Sequence, residues 1–344
     1  MALFRKKAPL SRTEILETPQ YGWIWKPLVA LVVIYLLICI VLGIWWSWTP
    51  APTDPKQAVE NQRGFPQSVD TDGPQSQPAM ASGEALLATN IGILDTLLNK
   101  PGGYLNNDVM PPGLWLDNMP NWEVGVTQQV RDAVTSLGGS LGVGEAPLSQ
   151  AEESLAGDLD SWRWPASEKL LRAARNNLGE AFNALENASG PGAATQDAGA
   201  TASQPAALDA DALSEWLGRV EQRLQAQTRQ LAANVGQSPS GAQQSESNPW
   251  FRIDNVFFEA RGTTWALMQL MQAARIDYAD AIESSGVGDS FDQLIAELEA
   301  SQAQLWSPVI LNGSGFGFFA NHSLMMANYT VRSAQLVARI RGQL

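Results

Sequence analysis

The sequence predicts an all-α protein: one N-terminal transmembrane helix, a flexible tether, and a helical bundle with a long ordered loop and two disordered inserts. Three observations predict it. Residues 28–48, LVALVVIYLLICIVLGIWWSW, run for twenty-one residues without a charge. Beyond residue 83, apolar side chains recur at three- and four-residue steps, the period of a helix that buries one face. No segment sustains the two-residue alternation of a half-buried strand.

The apolar run comes first. At 1.5 Å per residue it covers about 30 Å, the hydrocarbon thickness of a bilayer. Trp23 and Trp25 precede its core and Trp45, Trp46 and Trp48 end it, as expected of indoles at the two headgroup levels. A cleaved signal peptide would have a shorter apolar region and a small-residue cleavage site, whereas WWSWTP follows here. Residues 1–27 carry Arg5, Lys6, Lys7, Arg12 and Lys26, and the fifty residues after the span carry only Lys56 and Arg63. The positive-inside rule therefore keeps the tail in the cytoplasm and sends the body across.

Residues 49–82, rich in Pro, Gln, Ser and Asp, read as the flexible tether, with the body free to work away from the membrane. The folded part is then 83–344. A first helix carries Leu86, Leu87, Ile91, Leu94, Leu97 and Leu98, and NKPGG stops it. Residues 103–126, GYLNNDVMPPGLWLDNMPNWEVGV, hold too many prolines and glycines for a regular element and too many large apolar side chains for a solvated one. They read as an ordered loop packed on the core. Helices follow through Val130–Leu137, near 148–160, from Pro165 to Leu185, over 208–234, over 251–283, over 289–304 and over 322–343. The 251–283 helix is apolar around much of its circumference and should be central. Residues 189–207 and 236–248 are low-complexity and read as disordered inserts.

Composition excludes several function classes. The formal charge is −13. Removing the tail's five basic and two acidic residues leaves 17 basic against 33 acidic residues beyond it, or −16. No basic patch is available for nucleic acid, and an acidic body is repelled by anionic headgroups. One cysteine, Cys39, and one histidine, His322, support neither a disulfide, a redox pair nor a zinc site. No cofactor or metal is expected.

GGYLNNDVMPPGLWLDNMPNWEVGV, RIDNVFFEARGTTWALMQLM and ANHSLMMANYTVRSAQLV resemble domain-of-unknown-function family 2333, a family of proteobacterial inner-membrane proteins. The resemblance runs from the span to the C-terminus. It implies an inner-membrane location, with the body in the periplasm of a Gram-negative envelope, and it supplies no reaction and no catalytic residue.

The remaining signals are weighed residue by residue. His322 lies beside Asn321, Ser323 and Asn328. Its immediate neighbour Ser323 would point about 100° away on a helix, so a nucleophile–base pair is not expected, and a capped helix start is the simpler reading. Asp254, Glu259 and Arg261 lie on the central helix, where an ion pair or cation–π contact fixing register is the ordinary reading. Together with Asn321, His322 and Asn328 they form a candidate polar cluster. Trp115, Asn118, Trp122, Trp162 and Trp164 lie at loops or helix starts and form a candidate recognition surface. The expected function is a scaffold or interaction module without catalysis, with envelope proteins or a second copy of the chain as partners. The alternative is a carboxylate-dependent glycan-processing or glycan-binding protein of the periplasm, in which two carboxyls and a loop tryptophan share a cleft.

Overall fold

The structure is a computed structural model, and it describes residues 22–64, 80–163, 166–189, 208–233, 253–303 and 322–344. The described residues form eleven α-helices, a short 3-10 turn at Gly113–Trp115 and no strand, which is the all-α class expected. The inserts around 189–207 and 236–248 fall almost wholly outside the described residues.

α1 (Gly22–Trp46) contains a 22-residue stretch, Trp25–Trp46, whose most apolar 18 residues have a mean hydropathy of 3.1, long and apolar enough to cross a membrane. Its side chains are exposed along most of its length, unlike those of a core helix. α2 (Pro55–Arg63) corrects the tether. Asp54 Oδ1 accepts from Lys56 N at 2.9 Å and Gln57 N at 3.3 Å, Pro55 opens the first turn, and Gly64 closes the last with φ 71°. These start and stop signals stand in the sequence as TDPKQAVENQRG. Its Ala58 and Val59 are buried on α3 (Glu84–Asn99), and Arg63 forms a two-bond ion pair with Glu84 at 2.5 and 2.7 Å. Residues 65–79 of the expected tether lie outside the described residues.

The long loop is shorter than expected. α4 (Asn118–Leu137) starts eight residues before residue 126 because Pro120 falls in its first turn, where no backbone donor is required. α5 (Glu145–Ala156) and α6 (Ser167–Ser189) pack together and against α4 and α3 respectively. α7 (Ala210–Ala233) packs along the last helix, α11 (His322–Arg341). α8 (Ile253–Asp277) touches α2, α3, α4, α7, α10 (Gly288–Ser301), α11 and the short α9 (Ala279–Ser284), and is the central helix the sequence predicts.

α4 and α8 approach backbone to backbone. A Cβ on Gly125 would stand 2.1 Å from Glu259 O, and one on Gly262 would stand 2.0 Å from Trp122 O. Trp122 and Trp265 then meet edge to face, with centroids 4.9 Å apart, and both are core. α3 is fastened to α8 by Asp277, whose carboxylate accepts from Ala85 N at 3.3 Å and Leu86 N at 2.7 Å at the start of α3. Burial pushes this carboxyl up to about 7.

α11 buries Met326, Leu336, Val337 and Ile340. Met325 is exposed, while Ser323, Thr330 and Ser333 are fully buried beside Ala327, Val337 and Ile340. Small side chains let α11 lie close to α7, and Thr228 and Thr330 hydroxyls meet at 2.8 Å. Arg332, which stays exposed, pairs with Glu297 of α10.

Candidate functional site

The chain leaving α1 enters the body at once. Trp265 Nε1 donates to Pro50 O at 3.1 Å, and Thr53 N donates to Gln269 Oε1 at 2.8 Å, so residues 50–53 are bonded to α8. Between the end of α1 and the body lies a cavity of about 1430 Å³. Cys39, Ile40, Gly43 and Ile44 of α1 form one wall. Trp115 and Leu116 contribute from the loop, Phe258 and Met268 from α8, and Glu299 and Gln302 from the end of α10. At 1.5 Å per residue, Cys39 lies about 10 Å below Trp46, so the cavity runs alongside roughly the last two turns of the apolar helix.

The loop that closes the cavity has a rigid base. Lys100 Nζ and Glu123 Oε1 are 2.6 Å apart, and both side chains are fully buried. The Glu123 carboxylate also accepts from Leu105 N at 2.9 Å and Asn106 N at 2.7 Å, while Lys100 donates to Gly103 O at 2.5 Å. Burial pushes the Glu123 carboxyl up to about 7, against the pull of Lys100 and of the two amides. Tyr104 Oη donates to Leu159 O at 2.8 Å, and Asn107 Nδ2 to Glu168 Oε2 at 3.0 Å. Both carboxylate oxygens of Glu123 are engaged, by Lys100 and by the amides of Leu105 and Asn106, so Glu123 serves as an anchor for the loop.

Beyond the base, the tip turns outward. Val109, Met110, Leu114 and Trp115 are 46, 70, 56 and 55% exposed. From Val109 to Leu116 the chain carries no charge. Trp162, also exposed, lies across a cleft from this tip, with Arg163 over its ring at 5.3 Å.

The predicted recognition surface is therefore divided. Trp115 and Trp162 are exposed, and Asn118 starts α4 at the cavity wall. Trp122 is a correction: it is buried against Trp265, because α4 begins early enough to turn it inward. Trp164 lies outside the described residues.

The predicted polar cluster is dispersed. Arg261 is buried without an ion pair or cation–π partner among the described residues; its guanidinium donates to the carbonyls of Gln302 at 3.0 Å and Ala303 at 3.1 Å, capping α10. Burial lowers its pKa from the usual range. Glu259 faces Gln128 of α4 at 3.4 Å, and its carboxyl is raised by burial. Asp254 lies near Asp117, and burial, followed by that like charge, raises its carboxyl. His322 opens α11, as the helix-start reading expects, and is buried with its ring 6.3 Å from that of Phe257. Asn328 is exposed, and Asn321 lies outside the described residues.

What the sequence did not point to is the cavity, since its walls come from segments more than 200 residues apart. Two of its acceptors, Asn118 Oδ1 and Gln302 Oε1, have no hydrogen-bond partner among the described residues. Its carboxylates are Asp54, which caps α2, and Glu299, which accepts from Gln272 Nε2 at 3.0 Å. Apolar walls with a few polar groups suit an amphipathic ligand or peptide segment. Among the described residues no group of three His, Cys, Asp or Glu side chains could hold a metal ion.

No curated protein and no solved structure matches the chain. The family model described as "uncharacterized protein conserved in bacteria (DUF2333)" matches residues 18–344, nearly the whole chain. The chain belongs to the DUF2333 family of bacterial proteins.

Proposed function

We propose that this protein is a single-pass inner-membrane protein whose helical body stands on the periplasmic face of the membrane and works as an interaction module without chemistry of its own. The observation that carries the reading is the cavity at the foot of the body, walled on one side by the apolar helix and on the other by α8, α10 and the loop. A segment of a partner envelope protein running beside the span would enter it directly. The basic tail before the span and the −16 balance beyond it support the orientation. The buried carboxyls with raised pKa, Glu123 and Asp277, are held by backbone amides and lie outside the cavity.

One test is crosslinked pull-down of the full chain from native membranes, with Gln272→Trp to fill the cavity. A reproducible partner set lost in that variant, and kept when exposed Gln225 of α7 becomes Ala, is the expected result. A C-terminal phosphatase fusion should be active and a fluorescent-protein fusion dark.

A second reading has one specific observation behind it. Asp54, Glu299 and Trp115 line the same cavity, the combination a glycan-processing enzyme requires. Asp54 is committed to capping α2, which favours the first reading. Peptidoglycan cleavage by the purified full chain, abolished by Glu299→Gln, would reverse that preference.

A further inference from the structure

At the tip of the loop Val109, Met110, Leu114 and Trp115 are exposed around a buried Pro112–Gly113 step, while the base is fixed by a buried ion pair and five further hydrogen bonds. We infer that this tip is a second membrane contact: it inserts into the bilayer interface beside the exit of α1, on the same leaflet. The inference deepens the proposed function, because it rests on α1 spanning the membrane and names the partner of the Trp115 face.

Three observations carry it. The first is position. Trp46, in the tryptophan collar that ends α1, packs so closely on the loop base that a Cβ on Gly102 would be 2.7 Å from its ring, and it shares a cleft with residues 107–112. A Cβ on Gly43, nearly one turn further into the apolar helix than Trp46, would stand 3.6 Å from the Leu116 side chain. The loop therefore meets α1 at the depth where the collar marks the headgroups and just inside it. The second is composition. Val109–Leu116 is uncharged and ends in Leu114, Trp115 and Leu116, with Asp108 before it and Asp117 after it. Apolar residues and an indole suit the headgroup–acyl boundary, and the flanking carboxylates limit how deep the tip goes. The third is rigidity. An apolar tip in water would be expected to fold back onto the core; here Glu123 and Lys100 hold its stem out.

An acidic body with a penetrating apolar tip docks by burial of apolar surface and not by charge, so docking should persist in high salt. A second copy of the chain is the competing occupant.

The experiment uses the full chain at one copy per lipid nanodisc, with Cys39→Ala as background. Single Met110→Cys, Leu114→Cys, Gln225→Cys and Ile34→Cys variants carry an environment-sensitive NBD label. Expected are blue-shifted emission at 110 and 114 and several-fold stronger quenching by 5-doxyl phosphatidylcholine than at 225, unchanged by 0.5 M salt. Quenching at 110 and 114 no stronger than at 225 overturns the inference, and so does shielding from aqueous iodide without doxyl quenching, which would indicate protein cover. Ile34 separates the two failures: if it too escapes doxyl quenching, the spanning helix itself is wrong.

Discussion

Leu105 and Met110 lie five positions apart in the chain, and they occupy opposite environments. Leu105 is buried, its amide held by a carboxylate that is itself fully buried against a lysine. Met110 is the most exposed large apolar side chain among the described residues of the body. The base places charges where water is absent, and the tip places apolar groups where protein is absent. Each arrangement is costly alone. Together they make sense of one loop: the ion pair and the amides fix the stem, and the stem presents the tip beside the apolar helix.

Breaking the base should have the largest effect. Lys100→Met removes the counter-charge of buried Glu123 and should cost about 3–5 kcal/mol, measured by urea unfolding of the detergent-solubilised chain at about pH 8.5, where the wild-type carboxyl is ionised. The deficit should shrink at pH 5, where Glu123 takes up a proton, and Lys100→Met with Glu123→Gln should recover part of it. A single-variant loss below about 1 kcal/mol would mean that the pair does not hold the loop.

pH sharpens the comparison next, because Glu123 and Asp277 are both raised to about 7 by burial. The folded chain then keeps protons that the unfolded chain has already lost. This contribution to stability is greatest below about pH 4, falls as pH rises to about 7, and is flat above, changing by up to a few kcal/mol. Asp277→Asn should remove its share of the slope while its amide still caps α3. A stability profile of unchanged slope in that variant would contradict the burial argument.

Gly262→Ala should cost on the order of 1–3 kcal/mol, since the new methyl meets Trp122 O and the two helices must separate. A thermal midpoint equal to wild type would show that the α4–α8 contact gives way easily. At the tip, Leu114→Asp should leave stability within about 0.5 kcal/mol while weakening bilayer contact. A large loss of stability would instead place Leu114 in a protein interface.

Much of this protein was decided by the sequence alone: the helical class, the long apolar helix, a central helix within 251–283 (which the structure breaks at Tyr278 into α8 and α9), and the helix starting at His322. These follow from local periodicity and composition, which need no partner to be read. Even α2, assigned to the tether, had its signals in place as Asp54, Pro55 and Gly64; their helix needed α3 to bury Ala58 and Val59. Only tertiary structure decided that Trp122 is core while Trp115 is surface, although they lie seven residues apart in one apolar stretch. It likewise sent Arg261 to backbone carbonyls and not to a carboxylate, and gathered residues from 39 to 302 around one cavity. The reason is physical. Periodicity reports which face of an element is apolar, but what that face meets depends on contacts between segments far apart in the chain, and no local pattern encodes those.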